Sequence, residues 1–177
     1  MKKIVLTTCT VILCYCMSCN SKDSDNKISE AAQKNLDAVH AINNDVISGD
    51  VSNLGDYIAT DAIDHAGEKG DVKGLDSIKA ELGVIHSMYS NMKMEPIKEL
   101  ADDEYVFEWS HFSAVCTVAQ MGMPAGSMMD MSSVHITKFK DGKAVEHWEF
   151  MQPADMMNMM PHENMDHMMM DTIKMKM

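Results

Sequence analysis

Apolar residues recur at steps of three and four through Ile28, Ala32, Leu36, Val39, Ile42 and Val46, which makes one stripe of an amphipathic helix. Ser48-Gly49-Asp50 stops it, a helix-ending glycine followed by a new cap. A shorter helix is predicted over Val51 to Ile58, and Thr60-Asp61-Ala62-Ile63-Asp64-His65 then leads into a loop at Gly67, Gly70 and Gly74. Ile78, Leu82, Ile85 and Tyr89 predict a third helix, so the chain reads as helical and local up to about residue 92. Beyond that the period changes to two. Tyr105, Phe107, Trp109, His111, Ser113 and Val115 fall on one side of an extended run, and Val106, Glu108, Ser110, Phe112, Ala114, Cys116 and Val118 on the other. Runs at 131–140 and 143–152 meet through Asp141-Gly142, a strong hairpin signal. Helices first and antiparallel strands after predict an α+β domain with helices on one face of a sheet.

The first residues follow different rules. Lys2 and Lys3 precede an apolar run, Ile4 to Met17, that is shorter than the roughly 20 residues a membrane span needs. It ends in Cys16-Met17-Ser18-Cys19 and a polar stretch, which resembles a bacterial lipobox with Cys16 where Leu is usual. The resemblance implies cleavage before Cys19 and lipidation of that cysteine, so that 1–18 is a signal peptide, 19–27 a tether and 28–152 the folded domain. An ordinary signal peptide or an uncleaved anchor is the plain alternative. The expected location is the bacterial cell envelope, lipid-anchored, at the outer membrane. Of the five cysteines, Cys116 alone would remain free in the domain, so no disulfide is expected and stability must come from the core. A formal charge of −12 without a cluster of Lys and Arg argues against nucleic acid.

Three pieces stand in a telling order: Asn53-Leu54…Tyr57-Ile58-Ala59-Thr60-Asp61…Asp64-His65, then Gly122-Met123-Pro124-Ala125-Gly126, then 141–149 with Asp141-Gly142-Lys143 and His147-Trp148-Glu149. The set resembles the SnoaL-like polyketide cyclase branch of the nuclear transport factor 2-like superfamily, over roughly residues 30–152. That resemblance implies a cone-shaped fold, a curved antiparallel sheet packed on about three N-terminal helices, with a pocket between them. It also implies an acid/base carboxylate on the last strand and a histidine on the strand before. Glu149 and His135 stand there, with Glu in place of the usual Asp, and Asp64-His65 matches the Asp-His at the pocket wall.

The hairpin register decides which of these meet. A two-residue loop puts His135 opposite Trp148 and leaves His147 beside Glu149 on the other face; a three-residue loop, Lys140-Asp141-Gly142, puts His135 opposite His147 with Glu149 diagonal. Both registers remain open. A carboxylate in an apolar site has its pKa raised and can exchange a proton with a carbon acid, while a histidine steadies the enolate oxygen or relays the proton. The structural alternative is that Glu146, His147 and Glu149 are solvated positions on an edge strand. His111, Trp109, His147 and Trp148 are further candidates for the pocket wall, although tryptophans at such positions are most simply core.

Methionine changes the picture once more. The chain holds 21, many of them in the segment 153–177, where Met156, Met159, Met160, His162 and His167 make a soft, thioether-and-imidazole set suited to Cu(I). The plain alternatives are a short capping helix beginning at Met156–Met160 or low-complexity sequence. The reading is therefore an envelope lipoprotein whose SnoaL-like pocket binds a small apolar or carbonyl compound, with isomerisation or cyclisation by proton transfer as its chemistry. It needs no cofactor, and a homodimer is one expected assembly. The alternative is a non-catalytic binding protein, for a ligand in that pocket or for Cu(I) on the tail.

Overall fold

The computed structural model describes residues 28–67, 69–120 and 123–159, with side chains to Met157. The signal and tether, and the tail beyond 159 with Met160, His162 and His167, lie outside them. Helix α1, Glu30–Ser48, starts where the Ser29 hydroxyl accepts the Ala32 N–H at 3.0 Å. It ends at Gly49, whose φ of 75° favours glycine, and a Cβ there would lie 2.5 Å from the His86 ring. After it come α2 (Leu54–Tyr57), β1 (Ile58–Asp64), β2 (Val72–Lys73), α3 (Leu75–Met88), β3 (Tyr89–Ala101), β4 (Tyr105–Cys116), β5 (Met128–Lys140), β6 (Lys143–Met151) and α4 (Pro153–Met159).

The α+β class holds, but the first half is less helical than its pattern predicts. The predicted helix over Val51 to Ile58 shrinks to four residues, and Ile58–Asp64 is a strand. Its burial alternates irregularly, with Ile58 and Ala62 inward, because its pairing with β6 slips between Ile58 and Ile63. The extended chain also returns at Tyr89, before residue 92. The six strands lie in the order β2-β1-β6-β5-β4-β3, and β1 runs parallel to β6, so the sheet is mixed rather than wholly antiparallel.

One face of this sheet carries the helices. Ala38, Val39, Leu54, Ile58, Ala62, Ile78, Val106, Phe139 and Ala144 form its core cluster. Leu54 is fully buried, and burying such a side chain contributes roughly 1.5–3 kcal/mol. Asn35, also buried, donates to the carbonyls of Asp102 and Asp103 and so ties α1 to the β3–β4 turn.

The hairpin register answers to neither expected arrangement alone. Asp141 and Gly142 have φ of 54° and 76°, a two-residue turn, and Lys140 faces Lys143. Between Phe139↔Ala144 and Lys138↔Glu146 the register shifts, leaving Val145 as an extra residue on β6. Beyond that bulge His135 faces Glu149 and Thr137 faces His147, so neither Trp148 nor His147 stands directly opposite His135, and His147 is its diagonal neighbour. The bulge moves Glu149 and both histidines onto one face, and it is the helix-side face.

Candidate functional site

Strand pairing sets out the helix-side face row by row. Val106, Thr137, His147 and Asp64 form one row across β4, β5, β6 and β1; Glu108, His135 and Glu149 form the next; Ser110, Ser133 and Met151 the third. Polar groups thus hold the centre of a face that is otherwise apolar core. Their side chains are partly open, 18% exposed for Asp64, 16% for His135 and 26% for Glu149.

A hydrogen-bonded chain runs through the rows. Asp64 Oδ1 lies 3.0 Å from His147 Nδ1 and accepts the Ala66 N–H at 2.9 Å. His147 Nε2 is 3.3 Å from His135 Nδ1, and His135 Nε2 is 2.9 Å from the Ser133 hydroxyl and 3.9 Å from Glu149 Oε1. Burial pushes the Asp64 carboxyl up, but the bond from His147, the nearby His147 charge and the Ala66 N–H outweigh it, and the net direction is down. An ionised Asp64 only accepts, so a neutral His147 carries its proton on Nδ1 and accepts at Nε2. His135 then donates from Nδ1, and its bare Nε2 takes the Ser133 proton and looks toward Glu149. Burial lowers the pKa of His135, with Glu149 and Asp64 pulling the other way and His147 reinforcing it. The net direction is below the ordinary imidazole value.

His65 does not join this group. It follows Asp64 by one residue and lies on the opposite face, stacked on Trp148 with ring centroids 4.8 Å apart. Its Nδ1 meets Asp71 at 3.0 Å and its Nε2 meets Glu146 at 3.4 Å, while Lys138 holds the other Glu146 oxygen at 3.0 Å. The bond to Asp71 raises the His65 pKa, burial opposes it, and the bond to Glu146 adds to the rise.

Three of the residues expected in the pocket wall need correction. Trp109, His111 and Trp148 sit on the outer face, in the rows Trp109–Val134–Phe150, Glu95–His111–Ser132 and Phe107–Ile136–Trp148. The helices cover the other side of β4, so its aromatic side is left outward; Trp109 is 45% exposed. His111 pairs at the outer rim with Asp130, at 3.0 Å. Of the four wall candidates only His147 faces the site. An open hollow of about 570 Å³ also lies on the outer face, lined by Asp61, Ile63, Glu104, Lys138 and Glu146 among others. Neither His135 nor Glu149 is among its lining residues. Sequence reasoning passed over Glu108, the most buried carboxylate of the described residues; its signal is a glutamate on the side of β4 shared with Val106, Ala114 and Cys116.

Among the described residues no three His, Cys, Asp or Glu side chains are grouped to hold a metal ion. Of the proposed tail ligands, Met156 lies in α4 and is exposed, and Met159 falls in α4 beyond the described side chains. Asp155 of α4 accepts the Ser132 N–H at 3.4 Å, where β5 outruns β6.

The model of the SnoaL-like polyketide cyclase family matches residues 37–160. The chain belongs to that family. Its fold is shared with a SnoaL-like protein from Jannaschia sp. CCS1, at a TM-score of 0.67 and 14% identity over 77% of this chain and 97% of that one. A SnoaL-like polyketide cyclase from Agrobacterium tumefaciens gives 0.61 and 13% over 70% and 95%, and an LEH-like epoxide hydrolase from M. tuberculosis 0.60 and 12% over 73% and 90%. These identities speak for the fold. No curated protein matches the sequence. The family places this chain among small-molecule-binding proteins of the isomerase type.

Proposed function

We propose that the helix-side rows bind a small, mostly apolar carbonyl compound and move a proton on the carbon next to its carbonyl. The observation that carries this reading is the placement of Glu149 directly opposite His135, with His135 joined through His147 to Asp64. Glu149 takes the proton from the carbon acid and returns it to a different carbon or to water. The enolate oxygen forms beside His135 and Ser133, where the Ser133 hydroxyl can turn toward it. Asp64 fixes the tautomer of the chain and balances positive charge that builds on the imidazoles. General acid–base groups of this kind contribute about 10²–10⁴-fold each.

The test is solvent deuterium incorporation into α-tetralone, a flat ketone with exchangeable protons next to its carbonyl, followed by NMR. Exchange is expected with the native protein and about 10²-fold slower with Glu149→Gln. Equal exchange with both proteins contradicts the assignment of Glu149. Exchange by neither, with ketone bound at the rows, favours the non-catalytic binding module.

The envelope setting belongs to the same proposal. Cys16-Met17-Ser18-Cys19 supports lipidation at Cys19, which would hold the domain at a membrane surface. The exposed aromatic rows of the outer face support a homodimer in which two such faces meet, since Phe107, Trp109 and Phe150 are all exposed. A second reading rests on the tail sequence: Met160, His162, Met165 and His167 with Met156 and Met159 offer Cu(I) the soft ligands it prefers.

A further inference from the structure

Asp64 and His65 are consecutive, and the chain sends them to opposite faces of the sheet. On the outer face the His65 ring joins three pieces of chain. Its Nδ1 lies 3.0 Å from Asp71 Oδ1, just before β2, and its Nε2 lies 3.4 Å from Glu146 Oε2 on β6. The ring itself lies over Trp148, further along β6, with centroids 4.8 Å apart and planes 15° from parallel. A neutral imidazole has one N–H, so it donates to only one of the two carboxylates and turns a bare lone pair toward the other. An imidazolium donates to both, and its charge suits the face of the indole. Both contacts are satisfied together only by the protonated ring.

The backbone at this end of β1 has few other fixings. Strand β2 contributes two residues, paired Ile63↔Lys73 and Asp64↔Val72, and β1 meets β6 at Ile63↔Glu146 and Asp64↔His147 only after its register has slipped. Beyond them the His65 N–H donates to the His147 carbonyl at 2.8 Å, and on the other face Asp64 Oδ1 holds His147 Nδ1 at 3.0 Å. The His65 bridge therefore grips from outside the same stretch of β1 and β6 that presents Asp64 and His147 to the helix-side rows. The charged groups around the ring come from every neighbouring element. Lys73 of β2 is 3.8 Å from the second Asp71 oxygen, and Lys138 of β5 is 3.0 Å from the second Glu146 oxygen. Asp64 precedes the ring in β1, and Glu81 of α3 lies against the turn at Gly67. The bond to Asp71 raises the His65 pKa, against burial and with help from Glu146, so the bridge is lost as pH rises through that raised value. The Lys138 bond, with the His65 bond behind it and burial opposing, holds Glu146 below its ordinary range and keeps it charged meanwhile.

We propose that His65 is a positioning residue for the helix-side site: protonated, it bridges Asp71 and Glu146 across the outer face and fixes the end of β1 from which Asp64 holds His147; deprotonated, it keeps one carboxylate and releases that end. The proton is exchanged with solvent, to which the ring is partly open. Above the His65 midpoint the Asp64–His147 bond loosens, and the histidine chain loses its anchor. The control thus acts through the sheet, from the face opposite Glu149 and His135.

This inference rests on the proton-transfer reading only for the use of the site, and its test requires no turnover. Nitrogen NMR distinguishes an imidazolium from either neutral tautomer, and follows the His65 and His147 rings through pH in the native protein, and His147 in His65→Gln and His65→Arg. Native His65 is expected to titrate above the ordinary value of about 6.5, with His147 Nδ1 showing an inflection at the same pH. Glutamine carries no charge and donates to one carboxylate, so in His65→Gln that inflection should vanish. Below the native midpoint its residue-65 amide should also exchange hydrogen about two- to fivefold faster, as loss of a partly exposed ion pair allows. Arginine is charged at every pH and has donors for both carboxylates, so His65→Arg should keep the native exchange protection and extend it above the native midpoint. A His65 midpoint at or below the ordinary value, or a His147 resonance blind to it, overturns the proposal, as does a His147 inflection that persists unchanged in both variants. Should His65→Gln fail to fold, the native curves and His65→Arg decide alone. Linked His65 and His147 titrations without deuterium exchange into the ketone would leave His65 in place and refute only the catalytic use.

Discussion

Replacing Asp64 by Asn removes one charge from the hydrogen-bonded chain and leaves its shape. Asp64 Oδ1 takes two donors, His147 Nδ1 at 3.0 Å and the Ala66 N–H at 2.9 Å, and an asparagine carbonyl can take both. A hydrogen bond to a charged group contributes about 1.5–3 kcal/mol against about 0.5–1.5 for a neutral one. The side chain is 18% exposed, so solvent screens part of that difference, and the two bonds together predict a loss of about 1–2 kcal/mol at pH 7. The sign with pH follows from the lowered carboxyl pKa. Stability from this group is present above the unfolded carboxyl's pKa of about 4 and is lost as pH falls through the lower folded value. Urea denaturation of both proteins at a series of pH values reads it directly. The gap should be full at neutral pH and close in acid, down to the lowest pH at which the native protein stays folded. A gap of constant size, or none at pH 7, refutes the account of Asp64 as an ionised anchor of the histidine chain.

Further outcomes follow from the rest of the molecule. Cys19→Ser should release the protein from the membrane pellet into the soluble envelope fraction, and retention with unchanged mobility would remove the lipid anchor. Trp109→Glu places a charge in the exposed aromatic rows and should convert a dimer to a monomer in sedimentation without changing circular dichroism; a native protein that is already monomeric removes the interface. Truncation after Met159 keeps α4 and its Asp155 bond to Ser132, so the domain should stay folded while any chelator-competitive Cu(I) uptake disappears. Equal, weak Cu(I) uptake by both forms would eliminate the tail as a metal site.

The parts of this structure that the sequence makes legible are those written in local signals. Helix α1 shows its stripe, its Ser29 cap and its Gly49 stop within one stretch of chain, and Asp141-Gly142 announces its turn. Strand β1 lacks such a signal. Thr60-Asp61 sits outward where a strand pattern wants alternation, and its partner β6 lies some 80 residues further on. Val145 is equally silent: a bulge leaves no mark in a run of strand-forming residues, yet it moves every later side chain of β6 relative to β5. Trp109 misleads for a different reason. An aromatic side of a strand reads as core, but the helices cover the side with Val106, Glu108 and Ser110, because α1 brings Asn35, Ala38, Val39 and Asn43 to that face. Glu149, His135 and Asp64 are visible through family resemblance and position; the direct facing of Glu149 and His135 and the burial of Glu108 depend on register, which only the folded sheet supplies.

The central claim is that a carbonyl ligand occupies the helix-side rows, and isotope-filtered NOEs between labelled protein and α-tetralone test it most directly. The account predicts NOEs from the ketone to Thr137, His147 and Met151, around Glu149 and His135, and none to Trp109, Trp148 or Phe150. NOEs to the outer tryptophans, with none to the helix-side residues, would contradict it.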